Sequence, residues 1–424
     1  MAEPGAAAQP VESAQAWDRA RWLLLIVLSG NMILDAVEGS ILVPALASLA
    51  GELDRSLWQA QWLLSGFAAG FAALLLAGPV LAARFGLRTV YLAAMALFAL
   101  ASVIGGLTDS MTVLVATRVV KGAAAALTAP AGLAVIAAVF PAGAQQRRAI
   151  SIYAGFGAAG FTVGLLLSGV LAALDRHLLF LFPAPVALAL LIAAWRVVPD
   201  TATPVRPRLS KPLLRNGSLL RSALGAAAMN GGYIALLVLF AARLHDTLGW
   251  SPWQTALGLL PASLPLALSV PFAARAIERF GTARLVLAGA VATLAGQLLF
   301  LGRPGAGNYA TDVLPVLLLI EAGFVLSFAA LNMQSTATVP DRLRAVAVPL
   351  YQTGVQAGAA LSLPLAVGVL AWSGTARAGA FVLAAAGFVA VLAAGFEFRS
   401  SAPPSAGGAQ NPSRLDEITT PRRS

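Results

Sequence analysis

Twelve long apolar stretches recur along this 424-residue chain, each near the length that a helix needs to cross a membrane. A hydrocarbon core about 30 Å thick takes about 20 residues at a rise of about 1.5 Å each. The stretches lie at roughly 22–47, 59–82, 89–107, 111–138, 149–173, 178–197, 218–242, 253–274, 284–302, 311–337, 345–372 and 376–396. Charged residues make up 11% of the chain and hydrophobic ones 59%, whereas a soluble domain carries about 25% charged residues. Too few ionic groups are present to cover a soluble globule, so lipid is the expected solvent.

The first stretch reads as a retained span. It reaches Ala47, holds Asp35 and Glu38, and follows a segment with Glu3, Glu12 and Asp18; a cleaved signal peptide has a basic start and a shorter apolar region. Between the sixth and seventh stretches, Pro199, Pro204, Pro207 and Pro212 alternate with Arg206, Arg208, Lys211 and Arg215, as in a hydrophilic linker. The expected fold is all-α integral membrane, with twelve transmembrane helices in two six-helix pseudo-symmetric halves. Its parts are a cytoplasmic N-terminal tail (1–20), a first half (21–197), a cytoplasmic linker (198–217), a second half (218–397) and a disordered cytoplasmic tail (398–424).

With both termini cytoplasmic, most of the bases fall in inside loops. Outside fall Arg55, Arg176, Arg243, Arg303 and Arg377, while Arg118 and Lys121 lie within the fourth span. That asymmetry is the one expected of a multi-pass protein of the inner, cytoplasmic membrane. Arg84-Phe85-Gly86 after the second span recurs as Arg279-Phe280-Gly281 after the eighth, roughly 195 residues on. The spacing indicates a parallel duplication, with binding sites near mid-membrane between the halves.

Three segments resemble the major facilitator superfamily, in particular its drug/proton antiporter branch. Leu34, Asp35 and Pro44 match the branch's first-helix signature. Pro79 to Arg88, with Arg84, Gly86 and Arg88, resembles the superfamily's loop between helices two and three, and Arg118-Val119-Val120-Lys121-Gly122 the fourth-helix motif. The chain departs from these patterns at Pro79, Ala83 and Lys121, and in the fifth helix at Leu165 and Ser168. The resemblance implies a proton-coupled exporter of drugs or other small organic compounds working by alternating access. It also implies a conformational-switch loop at Arg84, Gly86 and Arg88, repeated at Glu278, Arg279 and Gly281.

Ionisable groups at mid-membrane cost about 2.5–3.5 kcal/mol each on insertion scales and usually face a cavity or a partner. Asp35, Glu38, Arg118, Lys121 and Glu321 are therefore the proton-coupling candidates. Asp35 with Glu38, and Arg118 with Lys121, are spaced i, i+3 and share a helix face. Helical rise puts all four at similar depth, so the two acids and two bases are expected in one pocket. Glu321 shows no partner and suits a proton carrier, a ligand for a cationic solute or a neutral structural acid. Asn230, Tyr233, Asn332, Gln334, Gln352 and Gln356 are candidates for lining the solute path or for bonding across helices. Gly160, Gly164 and Ser168 form a small-residue stripe, expected first as a packing seam. Trp58, Trp62, Trp250 and Trp253 sit at outer span ends, as in an aromatic belt.

No cysteine occurs, His177 and His245 fall in outer loops, and no phosphate-binding loop is present. An enzyme, a metal site, a cofactor and a nucleic-acid partner are not expected. The expected partners are the lipid bilayer, a small-molecule substrate and protons, with the chain acting as a monomer. Two other readings stay open: a proton symporter or facilitator of a polar metabolite, and a non-transporting membrane sensor or assembly subunit.

Overall fold

The computed structural model describes residues 17–200, 211–303 and 307–401. The expected tails and linker thus lie largely outside the described residues, Arg206 and Arg208 included. Helix is the secondary structure throughout the described residues, because a backbone in hydrocarbon must satisfy its amides within the segment. The span-length units are α1 (Arg19–Ser40), α2 (Leu57–Leu75 with Gly78–Phe85), α3 (Leu87–Gly106), α4 (Met111–Val139), α5 (Ala144–Leu174), α6 (Leu178–Val197), α7 (Gly217–Leu248), α8 (Pro252–Phe280), α9 (Thr282–Gly302), α10 (Tyr309–Ala337), α11 (Asp341–Ser373) and α12 (Ala376–Ser401).

Several helices outrun the apolar stretches. α7 continues through Arg243, His245 and Asp246, so His245 sits in its last turn rather than in a loop. α12 continues to Ser401, past the boundary at 397. Hydropathy marks the hydrocarbon-embedded part of a helix, and polar turns prolong it into the headgroup layer. α1 stops earlier than expected, at Ser40, and a turn leads to the short helix Leu46–Glu52. α2 bends by 54° at the break Leu76-Ala77, just before Pro79, whose missing amide hydrogen leaves a ladder bond unmade.

The duplication extends to the helix caps. Ser56 and Gln59 form a capping box at the start of α2, and Ser251 with Gln254 forms the same box at the start of α8. Gly86 and Gly281 end their helices at φ of +85° and +78°, a backbone region that favours glycine. The preceding Arg84 and Arg279 lie over the rings of Phe85 and Phe280. Arg88 donates to the Trp195 carbonyl at 2.5 Å, tying α3 to α6.

The start of α1 and the end of α12 lie at one end of the bundle, here the terminal end; the opposite one is the far end. One apolar cluster at the far end contains residues of both halves, among them Ile41, Leu63, Leu165, Leu237, Leu259 and Leu363. Toward the terminal end the core divides. Leu28, Tyr91 and Val135 belong to a cluster of the first half alone, and Leu219, Val286 and Tyr351 to one of the second. The halves are therefore packed together at the far end and have separate cores at the terminal end.

Far-end loops of the first half carry a small ionic cluster. Arg176 pairs with Asp109 at 2.6 Å, and His177 lies between Asp109 (3.1 Å) and Asp175 (2.8 Å). Hydrogen bonds donated by the His177 ring to the Asp175 and Asp109 carboxylates raise its pKa above 6.5, while Arg176 and His177 hold Asp109 below 3.8. The histidine's contribution to stability is present below about pH 6.5 and is lost as pH rises through its folded value; that of Asp109 is lost only as acid protonates it. Thermal melts in detergent should show slightly lower stability at mildly alkaline than at mildly acidic pH. His177→Gln should flatten that difference; an unchanged slope would exclude the histidine as its source.

Candidate functional site

α1 and α4 cross near mid-bundle, and three of the five intramembrane charges meet there. Glu38 is fully buried and receives both bases of α4: Arg118 pairs with Oε2 and Lys121 with Oε1. Arg118 also donates to the Leu63 carbonyl and to the Glu38 carbonyl, each at 2.7 Å. Its guanidinium lies over the Phe67 ring, and the Lys121 ammonium over Phe98. Gly122 of α4 and Gly70 of α2 let the two backbones touch beside this cluster, since a Cβ on either would fall 2.0 Å from the opposing carbonyl. The shared face expected from the spacing of Arg118 and Lys121 is realised, and both reach the same acid.

Asp35 stands apart, a correction to the single pocket expected. It is 6% exposed, and its Oδ2 accepts from Asn31 and from Thr128, each at 3.2 Å, with no basic partner among the described residues. Tyr91 of α3 and Tyr153 of α5 lie in its neighbourhood. The reason is direction: Asp35 lies a turn nearer the terminal end than Glu38 and faces the part of α4 that carries Thr128. Asn31 and Thr128 escaped the sequence reading. Their signal was present, because Asn31 is i, i+4 from Asp35 and Thr128 is i, i+7 from Lys121, on the same helix faces.

Glu321 lies in the other half and does not join these charges. It is 1% exposed and accepts the Leu266 amide of α8 at 2.7 Å. All five charges are thus buried, in three separate environments.

Of the path candidates, Tyr233 lies where the halves meet. Its ring centroid is 5.8 Å from Phe161 of α5 and 4.8 Å from Phe324 of α10, which stacks on Phe328 at 5.0 Å. Asn230 donates to the Val355 carbonyl at 3.1 Å and lines a crevice with Met229, Phe324, Ser327 and Phe328. Gln334 is buried instead between α10 and α7, where Ser222 accepts its amide at 3.1 Å; an amide in an apolar seam needs such a partner. Asn332, Gln352 and Gln356 are half-buried.

The stripe of α5 packs within its own half. A Cβ on Gly160 would fall 2.7 Å from Ala36, and one on Gly164 2.1 Å from Ser40, both on α1; Ser168 is buried one turn further on. Gly169 makes the contact across halves, with Trp253 of α8 so close that a Cβ would meet its Cα at 2.7 Å. On the symmetry-related side, a Cβ on Gly368 of α11 would fall 2.9 Å from the ring of Trp58 of α2. Trp58 and Trp253 therefore belong to the far-end closure between halves rather than to an aromatic belt alone. Arg84, Glu278 and Arg279 are exposed at the terminal end, beside the glycine turns already described.

Residues 28–363 match the family model described as Major Facilitator Superfamily. The chain belongs to that superfamily. This major facilitator is similar to the puromycin resistance protein pur8 of Streptomyces alboniger, with 28% identity over 86% of this chain and 85% of that protein. It is also similar to the methylenomycin A resistance protein of Bacillus subtilis, 32% identical over 41% of this chain and 38% of the relative, so that alignment spans well under half of the relative's length. The nucleoside transporter NupG shares the fold, with a TM-score of 0.68 at 15% identity, covering 89% of this chain and 99% of that one.

Proposed function

We propose that this major facilitator is a proton-coupled secondary exporter of small organic compounds in the cytoplasmic membrane, working by alternating access as a monomer. Asp35 carries the reading: a buried carboxylate without a basic partner among the described residues, one turn from a buried acid that has two. Such a group has a reason to exchange a proton, whereas Glu38 is held by charge. Relatives named for resistance to puromycin and methylenomycin A favour export over uptake or sensing. The arginine-rich terminal end faces the cytoplasm under the positive-inside rule, so the far-end closure makes this an inward-facing state. Tyr233, Asn230, Phe324 and Phe328 form the substrate path, and the glycine-ended turns at Gly86 and Gly281 the loops that move between states.

Purified protein in liposomes should accumulate a fluorescent lipophilic dye, or puromycin, when a proton gradient is imposed in the exchange sense. It should do so poorly when the gradient is reversed. Equal uptake with either gradient would remove proton exchange, and no counterflow at any substrate concentration would remove transport itself.

A further inference from the structure

Helix α8 is divided inside the membrane. Its far-end segment Pro252–Leu259 passes through the single 3-10 turn Leu260–Ala262 before a second segment, Leu264–Phe280, begins. Pro261 and Pro265 account for the division, because proline supplies no amide hydrogen and its ring clashes with the carbonyl one turn back. Backbone groups released in hydrocarbon need new partners. Two neighbouring helices provide them. Tyr233 of α7 donates its hydroxyl to the Ala262 carbonyl, and Glu321 of α10 accepts the Leu266 amide at 2.7 Å. Leu266 is in the first turn of the second segment, where unpaired amides and the helix dipole favour a negative charge.

Glu321 is 1% exposed and its Oε2 accepts no hydrogen bond, while the Tyr233 hydroxyl, which donates to the Ala262 carbonyl, lies close enough to interact with the carboxylate. Tyr233 is the titratable group that faces it from α7. From α8 comes the Leu266 amide, from α9 the uncharged Thr293 against Gly323, and the bases of α11, Arg342 and Arg344, are at the terminal end. Packing changes across the break. Thr255, Ala256, Gly258 and Leu259 are buried in the first segment, whereas none of the residues in Leu264–Phe280 is. The first segment carries Trp253, which closes the far end on Gly169. At the matching level of the first half, α2 runs unbroken as Trp62–Leu75, so the arrangement is particular to the second half.

We infer that Glu321 is a proton site separate from Asp35, and that the break in α8 is the element its proton moves. As a carboxylate it holds the start of the second segment and keeps Trp253 seated; a proton bound at the free Oε2 removes the charge from the helix start and loosens the far-end segment. Charge-assisted hydrogen bonds are roughly twice as strong as neutral ones, so the Leu266 contact weakens without being lost. One O–H bond forms at Oε2 as one O–H bond of a hydronium ion breaks to leave water, and no bond in the protein breaks. The inference deepens the export reading and rests on it for its use in the cycle, but its geometry can be tested without substrate.

The chain has no cysteine, so Val170→Cys on α5 and Leu257→Cys on α8, both exposed positions, can carry a spin-label pair in lipid nanodiscs. Pulsed electron resonance should show one short distance at alkaline pH and a longer population growing as pH falls. Glu321→Gln should show the longer population at every pH. Tyr233→Phe, which removes the other cap, should show some of it at alkaline pH and keep the pH response. Distances and pH response in Glu321→Gln identical to the parent would overturn the inference, as would loss of the response in Asp35→Asn alone. Absence of proton-driven transport with this response intact would instead count against the export reading.

Discussion

Asp35→Asn is expected to reduce proton-driven export to the level of empty liposomes while the protein still inserts, folds and binds substrate. Asparagine keeps an oxygen for the Asn31 and Thr128 hydrogen bonds, both made to one oxygen of Asp35, so the change removes the titration and little else. Glu38 with Arg118 and Lys121 leaves one positive charge in excess, which an ionised Asp35 balances and a protonated one does not. Protonation of Asp35 therefore changes the net charge of the α1–α4 site by one, and that change biases the two packings of the halves by the difference between its interactions in them. The measurement is substrate flux against an imposed proton gradient, beside gradient-independent counterflow. Retention of both at wild-type rates would remove Asp35 from the coupling.

Glu38→Gln is expected to be the most damaging single change to the fold. It strands two buried cations by removing the acid that pairs with both, and removing one partner of a buried ion pair costs about 3–5 kcal/mol. A membrane protein of ordinary stability loses much of its margin at that cost. Size-exclusion profiles and melting curves in mild detergent should show mostly aggregated protein or a strongly lowered Tm. Adding Lys121→Met should recover part of the loss, because it removes one of the two stranded charges while keeping the chain length of the side chain. A Tm equal to wild type in the single variant, or no recovery in the double, would mean that the three charges are not energetically joined.

Both predictions concern residues picked out by spacing and depth, and the structure treats them differently. Glu38, Arg118 and Lys121 were legible because i, i+3 spacing sets a common face and helical rise sets a common level. Asp35 passed the same tests and yet lies against Thr128, since one turn along α1 changes which part of α4 a side chain can reach. Gln334 shows the converse: a polar residue in a span reads the same whether it lines a path or bonds to Ser222 across a seam. Trp58 and Trp253 read as belt residues because tryptophans at a span end look alike in sequence whether they face lipid or the other half. The eighth stretch reads as one continuous span although it holds Pro261 and Pro265, and the two caps of its break could not be read at all, because Tyr233 and Glu321 come from helices distant in the chain.

Hydrophobicity is a property each segment carries by itself, so the sequence determined that lipid is the solvent, that the chain crosses it about a dozen times, and that the two halves repeat. Which helices touch is a property of all of them together. Only the tertiary structure decided that Glu38 takes both bases, that Asp35 takes none, that Gly169 and Gly368 close the far end on two tryptophans, and that Glu321 completes a helix it does not belong to. Contacts of this kind depend on ångström distances between helices, and those follow from the joint packing of the bundle.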